Sequence, residues 1–403
     1  MISLVKTYWL PLVALFVVFF DELFNCSAIV RGFTVDTGIK QYEAMLLAVI
    51  GYMMMAGDLL KGRINNKEHR TLVVLFLILF LYMLTPFLYG GPVELYTSYL
   101  LVFGAECIPA AYVGIRLART SNLQRINDLL PFVVIPVSLL RGTIGLTAAL
   151  LGTTVNKNSG IGVDEGLDYQ ILSYYMAFSY TYSFYYTFYG NNKTGLMNLL
   201  LRIVMAGDMF FCAAICLMGG GRGAFVYIEF KTIFILFYYL ISSKRHRMRA
   251  IIIIFSLAVV SLFVISSLGI LQSDGMERVT EKLTDDNTRL ELYWSAFDSF
   301  LSSPLFGWGV GSIWWTVGFY CHNAILDIMA ETGIIGTLFL LSIVWRTLLK
   351  LYSLSHTDKV YLFFFLVMVG NLVNYMFSGY YIAAYKTYFV CSLVYCLPKK
   401  TNK

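Results

Sequence analysis

Apolar runs of about 20 residues, separated by short polar connections, recur from one end of this 403-residue chain to the other. In hydrocarbon every backbone N–H and C=O must be satisfied within the protein, so a crossing segment is a helix or part of a closed barrel. Runs of this length suit helices, because barrel strands need only about 9–11 residues. Twelve spans are expected, at 5–20, 42–60, 71–90, 94–115, 128–151, 169–190, 196–218, 223–242, 250–271, 333–349, 360–378 and 380–397. Composition agrees. Residues AVILMFWYC make up 58% of the chain and charged residues 13%, against about 25% in soluble domains. Mean hydropathy is +0.70. A string of soluble domains is excluded, and residues 1–403 read as a single all-α, polytopic membrane domain of about 12 transmembrane helices. The first run follows one lysine, Lys6, and no small-residue cleavage site follows it, so it reads as a retained span.

The cations give the orientation. Nineteen of the 30 Lys and Arg fall in one alternating set of connections, which includes the Lys61–Arg70 and Lys244–Arg249 stretches and both chain ends. Seven fall in the other set, and Arg141, Arg202, Lys231 and Lys386 lie inside spans. The richer set is cytoplasmic by the positive-inside rule, with both termini inside. The net charge of +6 is thereby a topology signal, and no nucleic-acid partner is needed to explain it. The seven cysteines lack a CxxC or metal-like spacing and read as buried thiols, with neither disulfide framework nor metal site. No cofactor is expected. No repeat relates the two halves, which argues against a secondary transporter or a polysaccharide-repeat flippase.

One external connection is long, 272–332, between spans nine and ten, and long connections tend to carry function. His322 lies there, whereas His69, His246 and His356 sit in cytoplasmic basic loops. Leu290, Tyr293, Trp294, Phe297, Phe300 and Leu301 form one stripe of a helix, with Glu291, Ser295, Asp298, Ser299 and Ser302 opposite. Asp285 and Asp286 read as caps rather than metal ligands, and Ser303-Pro304 ends the helix. Such a helix would lie along the membrane interface or cover a cavity. Next comes the glycine-punctuated turn Pro304-Leu305-Phe306-Gly307-Trp308-Gly309-Val310-Gly311, without the Gly-Lys-Ser/Thr of a phosphate loop. A second short helix should run from His322 or Asn323 to Glu331, stopped by Gly333.

The string from His322 to Gly336 has the form HNxxLxxxxExGxxG. With Arg289, Trp294 and the glycine turn before it, and Gly221-Arg222-Gly223 earlier still, it resembles the O-antigen polymerase (Wzy-type) and O-antigen ligase superfamily of bacterial membrane glycosyltransferases. The resemblance covers about 219–336. It implies a GT-C-like helical fold, located in the bacterial inner membrane and acting at its outer face. Undecaprenyl-diphosphate-linked oligosaccharide would serve as donor and acceptor, with membrane lipid around both and a chain-length regulator as protein partner. Carried over residue by residue, it marks Arg222, Arg289 and His322 as catalytic. Arg222, Arg289, Asn323, Glu331 and Arg141 are the candidates for substrate binding. Arginine forks can neutralise a departing diphosphate without losing their proton, and a neutral histidine can take the acceptor hydroxyl's proton. Direct displacement with inversion is expected.

Each assignment has a plainer rival. Arg222 could snorkel to the interface, Arg289 could cap a helix, and Glu331 could be a structural hydrogen-bond partner. Glu106 and Arg141 fall at similar depth and could pair across two spans or line a polar cavity. The eight tyrosines of span six read as helix packing, with sugar contact the alternative. Few external cations favour a polymerase over a ligase, which must recruit a phosphate-rich lipid A core.

Overall fold

The computed structural model describes residues 2–20, 39–91, 94–120, 123–150, 169–190, 195–219, 222–242, 287–377 and 379–398. Among them the chain is all-helical, without strands. In chain order the helices are α1 (Ile2–Val18), α2 (Ile39–Leu60), α3 (Asn66–Tyr89), α4 (Glu94–Val102) and α5 (Ile108–Ala118). Then come α6 (Arg125–Leu150), α7 (Tyr169–Tyr189), α8 (Leu196–Gly219), α9 (Arg222–Ser242) and α10 (Asn287–Ser302). The last four are α11 (Ile313–Thr316), α12 (Ala324–Ser355), α13 (Val360–Phe377) and α14 (Tyr385–Cys396).

Among the described residues, six stretches are long and apolar enough to cross a bilayer: Asn66–Tyr89, Tyr96–Ala118, Arg125–Leu146, Leu196–Cys216, Ala324–Ser355 and Val360–Phe377. The chain is a multi-pass membrane protein. Expected span nine lies outside the described residues, as do Asp285 and Asp286. Expected span twelve is a 3-10 turn, Tyr381–Ala383, followed by α14 of 12 residues. That helix covers about 18 Å, short of a hydrocarbon core of about 30 Å. Helix α3 shows how the sequence makes a span. Asn65 Oδ1 accepts from the N–H groups of Lys67 and Glu68, Glu68 accepts from Asn65 N–H, and Gly90 at φ 86 closes the far end. Its Val73, Val74, Leu77, Phe80, Leu81 and Leu84 are exposed, an aliphatic face suited to lipid.

The described chain divides into two compact units. The first contains 1–18, 41–123 and 286–403. Its helix ends sort into two sets. At one, Arg116 Nη1 donates to Asp58 at 2.5 Å and Arg119 Nη2 to Glu68 at 2.6 Å, and Lys350 Nζ donates to Val394 O at 2.7 Å. At the other, Thr85 Oγ1 donates to Val310 O and Tyr89 Oη to Trp308 O, both at 2.7 Å. Between α4 and α5 the helix widens to a π turn, Phe103–Cys107, which contains Glu106.

The second unit contains 19–40 and 124–285. Helix α7 is its centre, packed on α6, α8 and α9. Tyr180, Tyr182, Tyr185, Tyr186 and Tyr189 are buried, so helix packing accounts for this part of span six. Buried Asp208 of α8 accepts from Ser138 Oγ of α6 and, at 2.5 Å, from Ser183 Oγ of α7. One carboxylate thereby joins three helices.

Candidate active site

The site in the first unit is built on a break in α12. Gly333 has φ 60 and ψ −169, so a short helix over 324–332 ends there and a long one begins, as the sequence predicts. The break frees backbone groups, and the glycine turn satisfies them. Ile334 N–H donates to Pro304 O at 2.8 Å, while Trp308 and Gly309 donate to the carbonyls of Ala330 and Glu331 at 3.2 and 2.8 Å. A Cβ on Gly333 would lie 2.4 Å from the Leu305 carbonyl, and one on Gly307 would lie 2.3 Å from that of Glu331. Only glycine permits this approach.

Glu331 fastens the same turn from within. It is fully buried. Its Oε1 accepts from Tyr380 Oη at 2.5 Å, and its Oε2 accepts from Tyr381 Oη at 2.6 Å and Gly311 N–H at 2.8 Å. Its placement is that of a structural partner for the loop rather than a substrate contact.

His322 is presented by the backbone. Its φ of 56 makes it the single non-glycine residue with positive φ among those described, a conformation costing about 1–3 kcal/mol. Two clamps hold it. On one side, Cys321 N–H and Sγ donate to Asp327 Oδ1 at 2.9 and 2.8 Å. On the other, Asn323 caps α12, its Oδ1 accepting from Ile325 and Leu326 N–H at 3.1 and 3.3 Å. Asn323 thus works first as a cap. The imidazole stands edge-on to Tyr320, with centroids 4.6 Å apart, and its Nδ1 is buried without a hydrogen-bond partner among the described residues. Burial, and then the charge of Arg289, push its pKa down to about 4. At pH 7 the ring is a neutral acceptor. By contrast, His69 and His356 are exposed.

Arg289 stands half-buried in the first turn of α10, near enough for its charge to act on His322. The apolar stripe of α10 is divided, with Tyr293, Phe297 and Phe300 half-buried and the other three turned outward. Leu290, Trp294 and Leu301 are 54%, 65% and 55% exposed, while Ala296 and Ser299 pack inward and the helix lies against α12. In a membrane protein large apolar groups can be left to lipid while small ones allow close packing. The placement suits a helix at the interface and corrects the expectation that Ser299 lies on its open side.

Among the other expected residues, Arg222 opens α9 in the second unit. Arg141 is buried there, its Cζ 4.2 Å from the centre of the Tyr175 ring. Glu106 belongs to the first unit. The sequence reading missed Asp327, Tyr380 and Tyr381. Asp327 was legible only as one more acid in a first helical turn, and the tyrosines follow Glu331 by 49 and 50 residues. No group of three His, Cys, Asp or Glu among the described residues could hold a metal ion.

Residues 209–341 match the family model described as O-antigen ligase. The match takes in Arg222, Arg289 and the whole His322–Gly336 string. It agrees with the O-antigen polymerase and ligase superfamily, glycosyltransferase-like enzymes acting on lipid-linked sugars. No curated protein matches the chain.

Proposed function

We propose that the protein is a polysaccharide polymerase, joining undecaprenyl-diphosphate-linked repeat units of O-antigen or capsule at the outer face of the bacterial inner membrane, with both termini cytoplasmic. The observation that carries the reading is His322, a strained, neutral imidazole beside Arg289 in the family's histidine position. His322 takes the proton of an acceptor hydroxyl, and the oxygen attacks the anomeric carbon of the donor sugar. The bond from that carbon to the diphosphate oxygen breaks, the electron pair leaves with undecaprenyl diphosphate, and the anomeric configuration inverts. Arg289 meets the charge that develops on the leaving group. Arg222 is the second arginine the resemblance assigns to diphosphate.

A base with a pKa near 4 is neutral but weak. An incoming diphosphate offsets the smaller of the two causes, the charge of Arg289, and so raises the pKa of His322. The base thereby strengthens when the donor is bound.

The family description favours a second reading, ligation of finished glycan to lipid A core. One gel separates the two. His322→Ala in a polymerase should lower the rate by about 10²–10⁴-fold, enough to erase the ladder and leave single repeat units on lipid or core. In a ligase the same change should leave the core bare while polymer accumulates on undecaprenyl diphosphate. Long ladders from a well-expressed His322→Ala chain would overturn both.

A further inference from the structure

The imidazole of His322 ends one cluster of aromatic rings, and a second cluster begins at the next residue after that cluster's Trp314. Tyr320 stacks on Phe319 with centroids 4.4 Å apart and turns its edge to His322. Buried Trp314 touches both Phe319 and Tyr320. Its neighbour Trp315 stacks on Tyr89 at 5.5 Å, with ring planes 20° apart, and leans on Tyr96. Trp314 and Tyr96 are buried, whereas Tyr89, Trp315, Phe319 and Tyr320 are half-buried. Between Trp315 and Phe319 the chain turns through exposed Gly318, and a Cβ there would meet nothing within 4 Å.

We propose that Tyr89, Trp315, Phe319 and Tyr320 form the subsite for the acceptor glycan, stacking the C–H faces of at least two successive sugar rings. The inference rests on the glycosyltransferase reading and adds the part of the site that reading lacks, a surface for the acceptor. A pyranose has one face of weakly positive C–H groups and a rim of hydroxyls. The first matches the negative face of an aromatic ring, and the second needs water or polar groups beside it. Phe319 and Tyr320 touch the ring proposed to take the acceptor's proton, so the sugar stacked there is the attacking one. The Trp315–Tyr89 pair, beyond buried Trp314, then takes the sugar behind it.

Lipid is the rival occupant, since Trp and Tyr also gather at membrane interfaces. The lipid-suited face of this protein has a different character. On α3 it is made of Val73, Leu77, Phe80, Leu81 and Leu84, whereas the strip beside His322 is rich in Trp and Tyr and includes a glycine turn.

The test uses the full chain in nanodiscs and, as probe, lipid-free oligosaccharide released by mild acid from the host's own lipid-linked repeat units. Tryptophan fluorescence reads binding, and turnover of lipid-linked substrate reads chemistry. Trp315→Leu and Tyr320→Leu should each weaken binding of the probe about tenfold or more, and Trp315→Phe, which keeps a ring face, should retain most of it. A two-sugar fragment should bind more tightly than one sugar. His322→Ala should bind like the wild type and fail in turnover. Equal binding by folded leucine variants, or a fluorescence response to phospholipid composition and none to sugar, would overturn the subsite while leaving the glycosyltransferase reading intact. Turnover by His322→Ala would overturn that reading instead. If a leucine variant does not fold, wild type and Trp315→Phe on one- and two-sugar probes decide, because both should prefer two sugars and equal binding of the two probes would overturn the subsite.

Discussion

A histidine held at φ 56 is costly unless its neighbours force it there, and here Asp327 and Asn323 do so from either side. Asp327→Ala should therefore lower activity and destabilise the protein by about 1–3 kcal/mol, through the lost acceptor for Cys321 N–H. Asp327→Asn keeps a carbonyl acceptor and should retain most activity. Comparing turnover and thermal unfolding of the two variants checks the clamp. The acidity of His322 makes a second prediction. Its pKa of about 4 belongs to the free protein, so kcat/KM should stay level from pH 8 down to near 5 and fall only below that. With diphosphate bound the group should titrate higher, so the acid limb of kcat should lie above that of kcat/KM. Coincident limbs near 6.5 would remove the role given to burial and Arg289. For stability the sign is the same: the folded state resists protonation, so His322's contribution is complete above pH 6.5 and is lost as pH falls toward 4. The arginines offer a third check. Arg289→Lys and Arg222→Lys keep charge and lose the planar fork, so each should slow turnover about tenfold at unchanged protein level, short of the about 10²–10³-fold typical of losing a donor outright. The roles proposed for His322, Arg289 and Arg222 were legible because a spaced motif names them. Asp327 was not, because what it holds is a backbone N–H, and no side-chain pattern marks that.

At the scale of helices, the sequence read best where the physics is local. Helix α10 ends at Ser302 as Ser303-Pro304 predicts, and α12 breaks at Gly333 as its position after Glu331 predicts. It read poorly where burial decides. Leu290, Trp294 and Leu301 form a helical stripe that in a soluble protein would face the core, yet they are exposed and Ala296 is buried, because lipid is as apolar as any core. The tyrosines of α7 likewise could not be sorted into packing or ligand contact until α6, α8 and α9 were seen around them. The glycine-to-helix junction gives a prediction of its own. Gly333→Ala meets both a left-handed φ and the Leu305 carbonyl, so it should cost more than the about 1–3 kcal/mol of the backbone strain alone. Gly62→Ala, at φ 58 with open space around it, should cost only the strain. The difference between their unfolding midpoints in detergent measures the close approach, and equal midpoints would deny it.

In the first unit, Asp58, Glu68, Arg116 and Arg119 are joined at one set of helix ends, and Thr85 and Tyr89 hold Val310 and Trp308 at another; the cation pattern predicts that the first set is cytoplasmic. Cysteines introduced at exposed Glu291 and Asp298 should react with an impermeant maleimide on intact cells, and those at Lys61 and Thr357 only after permeabilisation. The reverse pattern would put the proposed chemistry on the cytoplasmic side. Twelve spans could be counted from hydropathy, but a helix of 12 residues at the twelfth could not be foreseen, because hydropathy does not register the turn at Tyr381–Ala383. That turn also places the catalytic loop in time. Glu331 is synthesised 49 and 50 residues before the tyrosines whose hydroxyls it accepts, an interval of about 2–10 s at roughly 5–20 residues per second. Until those residues leave the ribosome the carboxylate keeps only its bond from Gly311 N–H, and the loop that carries His322 lacks that part of its fastening. A chain that stops before Tyr380 should therefore hold this loop less firmly than the full chain does.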